Sequence, residues 1–342
     1  SAGNIYITGY HSTTINFGGS TLTSNGSYDV YLASFDSSGK HRWSKNFGST
    51  SSDYGYGLDT DASGNVYMTG YFYVSADFGG GTLTSKGSYD IFVASYDTTG
   101  KHRWSKSFGN TSGDYGYGIA TDGSGNVYVT GYFYNSVNFG GSTITSNGSG
   151  DMFLASFTPS GVHRWSKGFG GTSSDYGYDV ATDAAGNVYV TGYFYYNIQF
   201  GTATLTSLGS YDSYVASFTS GGSHRWSKSF GSTSSDYGYG IDLDSKGNVY
   251  VTGMYYLTMD LGNNVKLTSN GSYDAYVAAF DTTGNALWAR TFGSTSSDYG
   301  YDVKLDPDDN ILAAGYFYST VDFGGGSLTA NSSDAYLVKL EQ

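Results

Sequence analysis

Between residues 55 and 108 apolar and polar positions alternate in four short runs, GYGLDTD (55–61), NVYMTGYFY (65–73), DIFVASYD (90–97) and HRWSKSF (102–108). A period of two, bounded by glycine, aspartate, serine and threonine, predicts β-strands with one face turned to a core. We designate these strands A, B, C and D. Ala-Ser-Gly after Asp61 links A to B, and Thr-Thr-Gly-Lys after Asp97 links C to D. Both fit tight hairpins in which glycine supplies a positive φ. The D-to-A and B-to-C links are long, the latter built around FGGGTLTS. In an antiparallel meander alternate links emerge on the same side. One face therefore carries only tight turns, and the opposite face carries both long loops.

The same pattern returns along the whole chain. Its Gly-Asn-apolar-Tyr core recurs at Asn4, Asn65, Asn126, Asn187 and Asn248, with a weaker copy at Asn310, a spacing of 61 residues that lengthens to 62 once. A fixed period of this length marks an architecture in which each unit buries its face against its neighbours. Four-stranded meanders repeated around an axis make a β-propeller. The expected fold is all-β, a single propeller domain over 1–342 with six blades of nominally four antiparallel strands. Six B and six C strands are present but only five A and five D, so the first blade lacks its inner strand and the last its outer strand. Two explanations stand: the chain is part of a longer array or tolerates three-stranded blades, or the unpaired edges at the seam pair with another copy, giving a homo-oligomer or polymer.

Composition supports the fold class and removes several functions. The chain holds 52 Gly, 36 Tyr and 20 Phe but only 2 Pro, and its 38% apolar and 18% aromatic content exceeds what a solvated, disordered chain carries. It has no cysteine, which excludes disulfides, thiolate metal sites and cysteine nucleophiles. A net charge of −13 argues against nucleic acid and anionic membranes as partners. No apolar run approaches the ~18 residues of a membrane-spanning helix, so membrane insertion is not expected. The opening SAGNIYITGY already reads as repeat, so any signal peptide is expected to lie outside these residues.

The run FGSTSSDYGYGIDLDSKGNVYVTG (230–253), followed by an aromatic stretch, an FGG element, SYDAYVAAFD and LWARTFG, resembles the bacterial SBBP-type β-propeller repeat. The resemblance covers every period. It implies the propeller fold and a place in long secreted or surface-attached bacterial proteins, hence an extracellular or cell-surface location, and it implies no activity.

Candidate chemistry is limited by this repetition. His41, His102, His163 and His224 lie on outer D strands, too far apart on different blades to converge on a metal, and are read as structural. Trp43, Trp104, Trp165 and Trp226 are read as wedges between blades. Asp53, Asp114, Asp175, Asp236 and Asp298 precede the innermost strand on the long-loop face. They are either a ring of carboxylates that takes Ca²⁺ at a channel mouth, the one cofactor considered, or caps accepting backbone N–H groups of their own loops. A second aspartate series, Asp29, Asp90, Asp151, Asp212, Asp274 and Asp334, is expected to anchor the end of the B–C loop. DTDASGN is read as a hairpin turn rather than a calcium loop. Tyr71, Tyr73, Tyr132, Tyr134, Tyr193, Tyr195, Tyr316 and Tyr318, with the Tyr-Gly-Tyr of each A strand, gather on the long-loop face and are the candidate ligand-binding residues, suited to glycans or a surface protein. Alternation assigns half of these rings to the core. Five Asn-X-Ser/Thr sequons (Asn25, Asn110, Asn147, Asn270, Asn331) fall in loops, where a bacterial source leaves them bare. No nucleophile–base or acid pair stands out, so a non-catalytic structural or adhesive module is expected, with a lectin-like propeller as the alternative.

Overall fold

The computed structural model describes residues 3–341. All regular structure in it is strand or turn, as the alternation requires. No helix among the described residues is long and apolar enough to cross a membrane. The strands form six antiparallel blade sheets, three in each of two compact units, Ser1–Gly168 and Phe169–Gln342.

In the first unit the opening blade has three strands (Ile5–His11, Asp29–Phe35, His41–Phe47), and the other two blades have four. The second blade runs Tyr54–Thr60, Val66–Asp77, Thr82–Tyr96 and His102–Phe108, the A–D order read from the sequence. The second unit mirrors this, with two four-stranded blades followed by a three-stranded one (Tyr299–Leu305, Ile311–Asp322, Ser327–Leu340). Among the described residues the first blade therefore shows its B, C and D strands and the sixth its A, B and C strands, as the strand count predicts.

Hydrophobic cores lie between consecutive blades rather than within one. Val30 and Leu32 of the first blade pack with Val66, Met68 and Phe72 of the second, and Ile91 and Val93 repeat the contact against Val127, Val129 and Phe133 of the third. In the other unit Ala275 and Val277 meet Val303, Ile311 and Ala313. Inner strands approach closely enough to demand glycine. A Cβ on Gly57 would lie 2.5 Å from the Tyr117 carbonyl oxygen of the next blade, and one on Gly116 would lie 2.6 Å from Thr69 Oγ1. The Tyr-Gly-Tyr-Gly runs at 54–57, 115–118 and 237–240 answer this geometry, since glycine lets two backbones come so near, whereas Asp179 and Asp302 take the last position in the other two A strands.

The tight turns are built as expected. Asp61 Oδ1 accepts the Ser63 and Asn65 N–H groups, its Oδ2 accepts Asn65 Nδ2 and Tyr67 Oη, and Gly64 takes φ 78°. Every oxygen of that carboxylate is engaged with the hairpin, so DTDASGN is a turn. The B–C link differs from the open loop expected. The strands continue past Tyr73↔Tyr89, slip register at Val74 (φ 68°), and resume as Ser75↔Thr84 through Asp77↔Thr82. Val74 N–H donates to Ser85 Oγ, and Asp77 caps the Phe-Gly-Gly-Gly tip by accepting the Gly79 and Gly81 N–H groups. Phe78 from that tip is fully buried. Its burial ties the ribbon to the blade and favours pairing over a free loop.

The D strands carry the structural roles assigned to them. Trp104 Nε1 donates to the Pro159 carbonyl of the next blade at 3.0 Å, and its ring lies where a Gly161 Cβ would stand. Arg103 donates to Tyr67 Oη and Ser95 Oγ, with its guanidinium 5.5 Å from the Tyr67 ring. His102 covers Gly80, where a Cβ would come 2.4 Å from His102 Cε1. His41, His102 and His163 each meet, through Nε2, the serine three residues further along their own strand.

Candidate functional site

The long loops are held by two series of buried aspartates. Asp53 accepts the Ser49 N–H on Oδ2 and the Tyr73 N–H on Oδ1, tying the D–A loop to the end of strand B. Asp114 does the same with Asn110 and Tyr134, Asp236 with Ser232 and Tyr256, and Asp298 with Ser294 and Tyr318. Asp175 accepts the Gly171 N–H. All five are at most 1% exposed. Of the two readings of this series, the loop cap is what the hydrogen bonds display. In Asp53, Asp114, Asp236 and Asp298 both carboxylate oxygens accept backbone N–H groups, one from the D–A loop and one from the end of strand B. Among the described residues no group of three or more His, Asp or Glu side chains is placed to hold a metal.

Burial, the largest influence, raises the Asp53 carboxyl to about 6 and those of Asp114 and Asp236 to about 7, against the pull of the N–H donors. Asp29, Asp90, Asp151, Asp212 and Asp274 cap the end of the B–C link through the N–H groups of residues four positions earlier. The sixth member, Asp334, is exposed.

On this scaffold the tyrosines of each unit form a continuous array. In the first unit Tyr10, Tyr54, Tyr71, Tyr115 and Tyr132 follow one another at ring-centroid distances of 4.8, 5.0, 4.8 and 4.6 Å. Tyr56 stacks on Tyr71 at 5.4 Å with their hydroxyls 3.1 Å apart, and meets Tyr117 edge-on at 5.0 Å. In the second unit Tyr176, Tyr193 and Tyr237 are linked at 4.7 Å each, and Tyr239, Tyr301 and Tyr316 at 5.5 Å each. These distances are those of favourable offset and edge-to-face pairs. Burial pushes the Tyr71, Tyr193 and Tyr239 phenols far above their ordinary range, so they remain neutral.

The eight tyrosines proposed from the sequence divide between base and surface. Tyr71 is buried, Tyr132, Tyr193 and Tyr316 are half-buried in the array, and Tyr134 and Tyr318 are half-buried beside it. Tyr73 and Tyr195 are exposed. The open surface also includes Tyr10, Tyr28 and Tyr56 in one unit and Tyr196 and Tyr301 in the other. Tyr28, Tyr89, Tyr211 and Tyr273 were missed as candidates although they recur in a Ser-Tyr-Asp motif. Tyr89 contacts both Tyr71 and Tyr73, so this recurrence was the available signal.

Antiparallel blade sheets of three or four strands, packed on one another within each unit at a fixed repeat, define a β-propeller repeat protein. Residues 42–71, 103–132, 164–193 and 225–254 match the SBBP β-propeller repeat model, and the chain belongs to that repeat family. It is 24% identical over 258 residues to an uncharacterized WD repeat-containing protein of Acanthamoeba polyphaga mimivirus, covering 63% of this chain and 19% of that protein. It is 25% identical over 175 residues to the regulatory protein FlaEY of Caulobacter vibrioides, covering 49% of this chain and 18% of that protein. The chain thus spans about a fifth of the length of these curated relatives. Among solved structures, a gluconolactonase from Xanthomonas campestris is similar at a TM-score of 0.43 and 11% identity, covering 84% of this chain and 78% of that one. A regucalcin from Agrobacterium tumefaciens is similar at 0.40 and 11%, covering 84% and 77%.

Proposed function

We propose that this chain is a non-catalytic structural or adhesive module, extracellular or at the cell surface, that binds a protein or surface through its tyrosine-rich loop face. The observation carrying this reading is the array itself, in which exposed tyrosines stand on a base of packed tyrosines. A ring held by neighbouring rings loses little conformational entropy on binding, and its hydroxyl still offers a hydrogen bond. Repetition places similar patches on successive blades, so weak contacts add by avidity. The location rests on what the SBBP resemblance implies. A lectin-like role is the second reading, favoured by the exposed Tyr56, Tyr73 and Tyr195 rings, which suit stacking on sugar faces.

A glycan array probed with and without calcium, beside a surface-adsorption assay on immobilised protein and polysaccharide, tests both. Binding that falls at least fivefold in a Tyr56→Ser/Tyr73→Ser variant supports the face. A single sugar class retained on the array selects the lectin reading. Full binding by that variant would overturn both.

A further inference from the structure

Where strands B and C meet the long loops, the cross-strand pair changes from blade to blade. Tyr73 faces Tyr89 in the second blade and Tyr195 faces Tyr211 in the fourth, with Tyr256 and Tyr273 at the same positions of the fifth. The ring centroids are 5.5, 5.4 and 5.7 Å apart and the rings are inclined by 45°, 47° and 44°. A third ring, Tyr54, Tyr176 or Tyr237, meets the C-strand tyrosine at 6.1, 6.2 and 6.2 Å. The other blades lack one partner. Ser12 takes the place of the B-strand ring in the first blade, and Gly150 and Ser333 take that of the C-strand ring in the third and sixth. One constellation thus belongs to the first unit and two to the second.

Each stands beside a buried carboxylate. Asp53 accepts the Tyr73 N–H and Asp236 the Tyr256 N–H. Burial raises the phenols of Tyr89, Tyr211 and Tyr273, and the charges of Asp53, Asp175 and Asp236 add to the rise, so each carboxylate acts on its C-strand ring. The surrounding charge is almost all of one sign. In the first unit the long links and the residues closing them carry Asp29, Asp53, Asp77, Asp90, Asp114 and Asp151 against Lys86, and in the second eight aspartates stand against Lys266. Both lysines are engaged locally, Lys86 Nζ with the Gly109 carbonyl and Lys266 with Asp260 at 2.8 Å. The other basic residues lie in strands and tight turns.

Taking the tyrosine loop face as the binding surface, we propose that these tyrosine pairs hold the lysine and arginine side chains of a basic segment in a partner protein. Ring faces attract cations, and a field of carboxylates draws them in. The chain makes this contact itself on its outer strands, where Arg103, Arg164 and Arg225 lie 5.5, 5.8 and 5.7 Å from the Tyr67, Tyr128 and Tyr189 rings. The inclined pairs present two ring faces in different directions, which suits a compact charged head better than the flat face of a sugar. One exposed contact of this kind strengthens binding only about two- to fivefold, so the partner needs several. In the second unit the two constellations share Tyr237, which is 5.9 Å from Tyr211 and 6.2 Å from Tyr273. About four extended residues span that distance, so one segment can engage both pairs.

Fluorescence anisotropy with a labelled oligolysine of about ten residues, in about 50 mM salt, tests the proposal. The expected result is saturable binding with a Kd on the order of 100 µM. Trimethylation of the lysines, which keeps the charge and removes the N–H donors, should leave affinity within about threefold, whereas acetylation should weaken it at least tenfold. The combined Tyr73→Leu, Tyr195→Leu and Tyr256→Leu variant keeps the net charge and should bind at least fivefold more weakly. Gly150→Tyr supplies the missing partner of Tyr134 in the third blade and should strengthen binding about twofold. Its Cβ would lie 3.2 Å from the Tyr132 ring and 3.3 Å from the Tyr134 ring, a shortfall of a few tenths of an ångström that these side chains can yield. No saturation by about 1 mM, equal affinity for the leucine variant and the wild type, or a loss on trimethylation as large as on acetylation overturns the proposal. If oligolysine fails while surface adsorption still falls in Tyr56→Ser/Tyr73→Ser, the basic partner is overturned and the tyrosine face stands.

Discussion

Trp104→Ala tests whether blades are held together at their outer edges as well as through their inner cores. The indole is half-buried, touches the Tyr67 ring at 6.1 Å, lies over Gly161 and donates to the Pro159 carbonyl at 3.0 Å. A fully buried tryptophan costs about 3–5 kcal/mol on truncation, and half-burial with a carbonyl that water can then reach lowers the expected loss to about 2–3 kcal/mol. Urea unfolding followed by circular dichroism measures it without relying on the tryptophan signal. A companion variant sharpens the argument. Gly161 has φ 79°, and a Cβ there would lie 2.7 Å from Trp104 Cδ2, so Gly161→Ala carries both backbone strain and a clash. In the Trp104→Ala background only the strain remains, about 1 kcal/mol, so the double-mutant cycle should show a coupling of roughly 1 kcal/mol or more. A single-variant loss under about 1 kcal/mol, or additive losses, would refute the wedge and return the D strand to the list of binding surfaces.

Three further outcomes follow from the buried polar groups. Burial raises Asp53, Asp90 and Asp212 to about 6 and Asp114 and Asp236 to about 7, above the usual carboxyl value near 4, so the folded state holds their protons more tightly than the unfolded state. That contribution is complete below pH ~4 and disappears as pH rises through 6 to 7, so the melting temperature should be higher at pH 5 than at pH 8; a flat or opposite profile would contradict the assignment. Asp114→Ala leaves the Asn110 and Tyr134 N–H groups without their acceptor and should cost about 2–3 kcal/mol, read by denaturant midpoint. Tyr67→Phe removes the hydroxyl between Asp61 and Arg103 and should cost about 1–2 kcal/mol, with Arg103 keeping Ser95. An unchanged midpoint would show that this bridge is exchanged for water without loss.

Strands A to D were legible because each carries its period-two pattern with turn residues at both ends, and the missing A and D strands could be counted for the same reason. The ribbon in the B–C link was less so. Its bulge falls at Val74, Asn135, Tyr196, Leu257 and Ser319, all with φ between 56° and 69°. Five residue types share one left-handed position, and valine, a β-branched residue, is among the least suited to it. Local preference therefore carries no signal there. The conformation is imposed by the buried Phe78 or its counterpart and by the ladder that resumes beyond the bulge.

The site was legible in kind and not in detail. An aspartate just ahead of an inner strand suits a loop cap and a cation site equally well in sequence, because both uses place a carboxylate beside a turn. What separates them is the direction of neighbouring N–H groups, and Tyr73 N–H reaches Asp53 only because the B strand extends beyond it. For the tyrosines, alternation assigns Tyr71 and Tyr73 to the same side, yet one is buried and the other 39% exposed, since the stacked Tyr56 covers the first. Repetition then sets how each candidate responds to substitution. The tyrosine patches recur, so losing one patch removes a fraction of the avidity.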